Sequence, residues 1–276
     1  MVKIGALVSY RENPADMDAE FARLEKLGLN ACQLCLWPES DFSQEKADET
    51  VASAKRHGVE ITALWAGWSG PKTWNFYEGQ KTLGIVPPEY REMRVKEILA
   101  RAEFAKKMGI TDVITHCGYL PENPYDPNYE GVVAAVREIG EKLKENGQWF
   151  LFETGQETPV TMLRVIEEAG TGNLGVNLDT ANLILYGKAN TLDSLDVFGS
   201  YVRNTHLKDG FYPTSGRELG KECPLGEGKA NITAVVKKLK ELGYRGPYII
   251  EREISGDQQT KDIAMAKELV LSALGE

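Results

Sequence analysis

The sequence is poor in the residues that most often announce a specialised site. Among 276 residues there are three histidines and four cysteines. Cys32, Cys35, Cys117 and Cys223 are too few and too scattered for a disulfide framework. Cys32 and Cys35 form a C-x-x-C pair, but inside the strand-like run Ala31–Trp37, where positions three apart point to opposite faces; they read as reduced core thiols, not a redox or zinc site. No apolar stretch approaches the ~20 residues of a membrane-spanning helix. The first residues, Met1–Val8, read as a strand rather than a leader, so the expected compartment is the cytoplasm. Positive charge is also short: 32 Lys and Arg face 41 Asp and Glu, a net charge of −9. That balance argues against a nucleic-acid partner, whose affinity comes mainly from phosphate neutralisation. A glycine-rich phosphate loop is missing after every apolar run, including the first junction, Ser9-Tyr10-Arg11-Glu12-Asn13-Pro14.

What the chain does contain is a loose repeat. A helical stretch ends in glycine and an apolar run follows within a few residues. Gly28, Gly58, Gly109, Gly147, Gly170 and Gly243 each fit the position after a helix, where a left-handed backbone suits glycine. Apolar runs fall near residues 2–8, 30–37, 59–66, 111–116, 149–153, 174–179, 202–207 and 247–251. They are short and largely unalternating, as parallel strands buried on both faces are. Eight such units predict the α/β class and one closed (β/α)₈ TIM barrel spanning residues 1–276; an open doubly wound sheet is the runner-up. Two connections are long, Gly67 to about Glu89 and Gly210 to Gly228. Both follow strands, on the face where barrels carry their chemistry, and both read as binding loops.

Four of the runs end in residues that can ligate a cation: Glu153, Asp179, His206 and Glu251. The intervals between the first three are about one βα unit each; the last is longer by roughly one long loop. Neighbouring strands lie about 4.8 Å apart, so their end residues can share one ion. Charged groups at the inner ends of apolar strands are costly unless paired or metal-bound. Three carboxylates and one imidazole, without thiolate, suit one hard or borderline divalent ion: Mn²⁺ first, with Mg²⁺ or Co²⁺ as alternatives.

At these residues the chain resembles the xylose isomerase-like barrels, in the sugar phosphate isomerase/epimerase branch that includes the ketose 3-epimerases. The matching stretches are Phe152-Glu153-Thr154-Gly155-Gln156-Glu157, Asn177-Leu178-Asp179-Thr180-Ala181-Asn182, Thr205-His206-Leu207-Lys208-Asp209, Pro224-Leu225-Gly226-Glu227-Gly228 and Ile250-Glu251. The resemblance implies that Glu153, Asp179, His206 and Glu251 bind one divalent cation, and that Glu153 and Glu251 are also acid and base on opposite faces of a sugar or keto-sugar. A cation on a carbonyl and its neighbouring hydroxyl stabilises an enediolate, and two flanking carboxylates can remove and return a proton. It also implies a dimer or tetramer, by analogy only. Two positions depart from the relatives: Asn182 stands where a histidine is usual, and Glu157 is the nearest carboxylate to a shifted second-glutamate position.

Further candidate substrate contacts are His116, at the end of the fourth run, Lys208, two residues after His206, and Arg217 in the second long loop. Trp37 and Trp68 are expected to line the pocket against C–H faces of a sugar. His57, before a helix-ending glycine, reads as structural. A lyase of the same fold, a keto-inositol dehydratase or a C-glycoside-cleaving enzyme, shares the first proton abstraction. An apurinic endonuclease needs many histidines and fits poorly, and a non-catalytic barrel subunit finds its best support in Asn182.

Overall fold

The structure, a computed structural model, describes residues 2–37 and 39–275. Among the described residues ten strands occur: β1 (Ile4–Ser9), β2 (Ala31–Leu36), β3 (Glu60–Ala66), β4 (Asp112–Thr115), β5 (Trp149–Glu153), β6 (Leu174–Asp179), β7 (Val202–Leu207), β8 (Asp209–Phe211), β9 (Lys221–Cys223) and β10 (Tyr248–Ile250). Eight of them close into a barrel in the order β1-β10-β7-β6-β5-β4-β3-β2, every pair parallel. The expected fold is therefore the observed one, with three strands matching the expected bounds to the residue. His116 and Glu251 fall one residue beyond β4 and β10. Glu251 still belongs to the ladder, because its N–H donates to Leu207 O at 3.1 Å.

The local sequence explains the helices between the strands. Pro14, Pro88 and Pro159 open helices Pro14–Lys26, Pro88–Lys107 and Pro159–Ala169, where a missing N–H costs nothing. Side chains of Asn13, Ser43, Thr158 and Asn190 accept from the first turns of their helices. All six glycines expected after helices have left-handed φ, from +64° to +80°. The second long loop carries regular structure that its sequence did not announce. It begins and ends in a short antiparallel ribbon, β8 with β9, pairing Asp209 with Cys223 and Phe211 with Lys221. Strands of three residues carry too little alternation to be read from sequence.

The apolar core divides in two. Outward-facing residues such as Leu34, Phe150, Phe152 and Val176 pack against helix residues such as Phe21, Leu24 and Phe104. A small inner cluster, Ala63, Trp65, Ile114 and Leu151, fills the barrel interior, with Cys35, Trp37 and Trp149 against it. Cys32 thus faces the helices and Cys35 the interior, as the three-residue spacing requires. No helix among the described residues is long and apolar enough to cross a membrane.

Candidate metal centre

Strand alternation decides what reaches the barrel mouth. On β5 the inward residues are Trp149, Leu151 and Glu153; the same parity gives Asn177 and Asp179 on β6, and Asn204, His206 and Lys208 on and just past β7. Two threonines set these strand ends against each other. Thr154 Oγ1 donates to Asp179 O and accepts from Asp179 N, both at 2.9 Å. Thr180 Oγ1 accepts from Lys208 N at 3.0 Å and donates to Lys208 O.

Glu153, Asp179, His206 and Glu251 each bring one ligand atom into a group whose members lie within 4.8 Å of one another. His206 Nδ1 is 2.8 Å from Glu153 Oε1 and 3.0 Å from Glu251 Oε2. Glu153 Oε2 accepts from the Trp65 indole N–H and lies 3.6 Å from His116 Nε2. Asp179 Oδ1 accepts from the N–H groups of Ala181 and Asn182, both at 2.8 Å. Asp179 Oδ2 is buried and has no hydrogen-bond partner. Lys208 Nζ nevertheless stands 3.0 Å from it, 3.4 Å from Glu251 Oε2 and 3.0 Å from Glu253 Oε1. The two observations agree: the ammonium supplies charge to Oδ2 without hydrogen-bond geometry, so that oxygen keeps its coordinating capacity.

Burial and mutual charge set the protonation of the group. Burial works against ionised Glu251, but Lys208 and His206 outweigh it and hold the carboxyl well below the usual carboxylate range. Glu153 is lowered in the same way, against burial, by His116 and His206. Burial pushes Asp179 up to about 7 despite Lys208. His206 resists burial because Glu153 and Glu251 face it, and is raised to about 10. Burial lowers His116, favouring its neutral form. Once His206 is neutral and all three carboxylates are ionised, as ligation requires, they and the Lys208 ammonium leave two negative charges, which one divalent cation cancels. With the orphaned Asp179 Oδ2 and the oxygen-rich donor set, the residues present fit such an ion.

Glu153, Glu251 and Lys208 line a cavity of about 420 Å³, while Asp179 and His206 are fully buried and do not line it. Trp37, Trp65 and Trp74 form one wall; His116, Asn182 and Glu253 also line it. Of the sequence candidates, His116, Asn182, Lys208 and Trp37 thus reach the cavity. Trp68, Glu157 and Arg217 do not line it. Trp68 lies in the loop after β3, where strand parity no longer applies, and is only 1 % exposed; its ring covers the Arg94 guanidinium, 4.1 Å away. Glu157 is buried behind the floor, accepts from Gly155 N–H at 3.0 Å, and is raised by burial to about 8. Arg217 is exposed on its loop, which sends Leu219 to the cavity instead. Trp65, Trp74 and Glu253 were not among the candidates. Trp65 and Glu253 share the inward parity of their strands, a signal the sequence does carry; Trp74, on a loop, has none. His57 lies on the outer layer, with Nδ1 2.7 Å from Glu25 and Nε2 3.3 Å from Asp18, in keeping with a structural role.

The model of the family described as xylose isomerase-like TIM barrel matches residues 21–269. A xylose isomerase domain protein from Planctomyces limnophilus has a similar structure, with TM-score 0.89 and 31% identity, over 99% of this chain and 97% of that one. A D-tagatose 3-epimerase-like protein aligns with TM-score 0.72 and 21% identity over 99% and 97%. Among curated sequences, an uncharacterised protein of Methanocaldococcus jannaschii is 27% identical over 65% of this chain, which spans only 62% of that protein's length. A probable endonuclease 4 of Persephonella marina is 24% identical over 99% of both.

Proposed function

The chain belongs to the xylose isomerase-like TIM barrel family, and from that premise we propose that it is a divalent-metal-dependent isomerase or epimerase of a small sugar or keto-sugar. The observation that carries the reading is the convergence of Glu153, Asp179, His206 and Glu251 within 4.8 Å, with Glu153 and Glu251 lining an aromatic-walled cavity and Asp179 and His206 buried against them. These four residues would hold the ion, Mn²⁺ or Mg²⁺ by the nature of the donors. When bound, the ion polarises the substrate carbonyl and stabilises the negative charge that develops on its oxygen. Glu251, kept ionised by Lys208 and His206, is ready to take a proton from the carbon beside the carbonyl. Glu153, oriented by the Trp65 indole and ionised at rest, would stand on the other side and deliver there a proton that it takes up from solvent. Asn182 offers an amide to a hydroxyl but cannot shuttle protons, which leaves that work to the two glutamates. The tryptophan wall suits the C–H face of a sugar ring or chain.

The substrate is unphosphorylated in this reading. No arginine among the described residues lines the cavity, and its one lysine is engaged by three carboxylates. An endonuclease reading has less to draw on, because His57 sits on the outer layer, His116 alone lines the cavity and His206 is buried beside it. The test is deuterium wash-in: protein loaded with Mn²⁺ is incubated in D₂O with a panel of free ketoses. Solvent deuterium is expected at the carbon next to the carbonyl, and it should vanish in Glu251→Gln. A protein that binds no divalent ion, or that isomerises with full retention of substrate hydrogen, would sink the proposal.

A further inference from the structure

Beneath the four ligand-bearing side chains the barrel interior is polar where an apolar plug would pack well. Gln33 on β2, Asn177 on β6 and Asn204 on β7 are all buried there, at 0–1 % exposure. Gln33 Nε2 donates to Asn177 Oδ1 at 3.1 Å and to Asn204 Oδ1 at 2.7 Å. Its Oε1 lies 2.5 Å from His206 Nε2.

The direction of these bonds follows from one backbone donor. Asn204 Oδ1 also accepts from Thr205 N–H at 3.3 Å, and a backbone N–H cannot exchange roles. The Asn204 carbonyl is therefore the atom presented to Gln33. Gln33 must answer with its NH₂, which has two hydrogens and finds two oxygens. Its carbonyl is then left facing His206. Two acceptors cannot share a hydrogen bond, so His206 Nε2 must carry a hydrogen and donate it to Gln33 Oε1. The nitrogen left to offer a lone pair is Nδ1, the one turned toward Glu153 and Glu251.

We propose that Gln33 is a positioning residue: it fixes His206 with hydrogen on Nε2 and so presents Nδ1 to the divalent ion. The inference rests on the metal-site reading above and names the residue that makes the imidazole a competent ligand. A partner on the remote ring nitrogen orients a ligand histidine and raises its basicity, and losing such a partner typically weakens metal binding 10–100-fold.

The test uses the full chain with ¹⁵N-labelled histidine. Long-range ¹⁵N–¹H spectra are recorded without ion and with diamagnetic Mg²⁺, and His206 is assigned by comparison with His206→Asn. Wild type is expected to keep a hydrogen on Nε2 in both states, with Mg²⁺ shifting only Nδ1 strongly. By calorimetry with Mn²⁺, Gln33→Leu should lose about 10–100-fold in affinity. An unprotonated Nε2 in wild type, or Gln33→Leu binding Mn²⁺ as wild type does, overturns the proposal. If Gln33→Leu does not fold, as judged by its ion-free melting curve, the wild-type spectrum decides alone. Wild type that binds no ion yet shows Nε2–H removes the metal-site reading and confines Gln33 to accepting the Nε2 hydrogen. Wild type that binds through Nε2 removes this inference and leaves the metal site standing.

Discussion

Lys208 Nζ stands 3.0 Å from Asp179 Oδ2, a buried carboxylate oxygen that no hydrogen bond satisfies. The ammonium also reaches Glu251 and Glu253, so one cation serves three acids. It is positioned to hold the carboxylates together when the ion is away and to repel the ion when it arrives. Its two effects on the protein are therefore opposite in sign.

Lys208→Met should expose both effects. Removing one partner of a buried ion pair typically costs about 3–5 kcal/mol, because the other charge stays buried and uncompensated. Ion-free protein should lose roughly that much stability. Saturating Mn²⁺ should restore most of it, since the ion compensates the same acids, and Mn²⁺ affinity should rise. Denaturant melts with and without Mn²⁺ measure this; equal losses in the two conditions would contradict it.

Ion binding should release protons. His206 is raised to about 10, so at pH 7 its imidazole is doubly protonated in ion-free protein and must give up the Nδ1 hydrogen to become a ligand. Asp179, at about 7, adds a fraction of a second proton. Between one and two protons should leave per ion at pH 7. Apparent affinity should climb about tenfold per pH unit from pH 7 toward pH 10, and more steeply below pH 7. Titration calorimetry in two buffers of different ionisation enthalpy counts the protons; a count of zero would mean that His206 is not a ligand.

Glu157 makes a separate pH prediction. Its folded value, about 8, is above the ordinary 4.5 because burial favours the neutral acid. The stability associated with that neutral form is complete below 4.5 and is lost as pH rises toward 8. Glu157→Gln keeps an acceptor for Gly155 N–H and removes the titration. The variant should be more stable than wild type at pH 8, by up to on the order of 3 kcal/mol, and the two should converge near pH 4. Since Glu157 does not line the cavity, substrate KM should hardly move. A large KM change with no change in stability would instead support direct substrate contact.

The loop that carries Trp74 is held from beneath by Arg94, buried at 0 % exposure. Its guanidinium donates to four backbone carbonyls, those of Ser69, Pro71, Thr82 and Gly84. Arg94→Met fills similar space and leaves those carbonyls without donors, at about 1–3 kcal/mol each where water cannot replace the bond. The expected result is faster proteolysis between residues 69 and 84 and a raised KM, with Mn²⁺ affinity preserved.

The barrel, and the clustering of four residues that could hold an ion, were legible because each is written in a periodic signal. Unalternating runs gave the strands, left-handed glycines gave the helix ends, and Glu153, Asp179, His206 and Glu251 stood at corresponding run ends. Gln33 was not picked out, although a glutamine in the apolar run Ala31–Trp37, at the inward parity of Cys35 and Trp37, is a polar residue whose burial requires partners. Those partners, Asn177 and Asn204, lie 144 and 171 residues away, a pairing that only barrel closure creates. Loop aromatics were the least legible. Trp68 and Trp74 have similar sequence surroundings, yet one packs on Arg94 and the other faces the cavity, because the loop path and not a strand period decides which way each ring turns.

Trp65 gives the sharpest test of the proton-transfer roles. Its indole N–H donates to Glu153 Oε2, while Oε1 faces His206 Nδ1. A donor of this kind favours the ionised carboxylate, so deleting it must raise the Glu153 pKa. Trp65→Phe keeps an aromatic ring against Trp37, 4.8 Å away between centroids, and removes only the donor. A hydrogen bond to a charged group is worth about 1.5–3 kcal/mol, or roughly one to two pKa units. The acidic limb of the kcat/KM profile should therefore move up by about one to two pH units, and kcat at pH 7 should fall more than KM rises. Asp179, His206 and Glu251 are untouched, so Mn²⁺ affinity should change by less than about tenfold, a shift that the weakened hold on Glu153 alone can account for. If the acidic limb stays in place while activity falls, Trp65 is acting on the shape of the cavity, and Glu153 is not the group whose ionisation sets the rate.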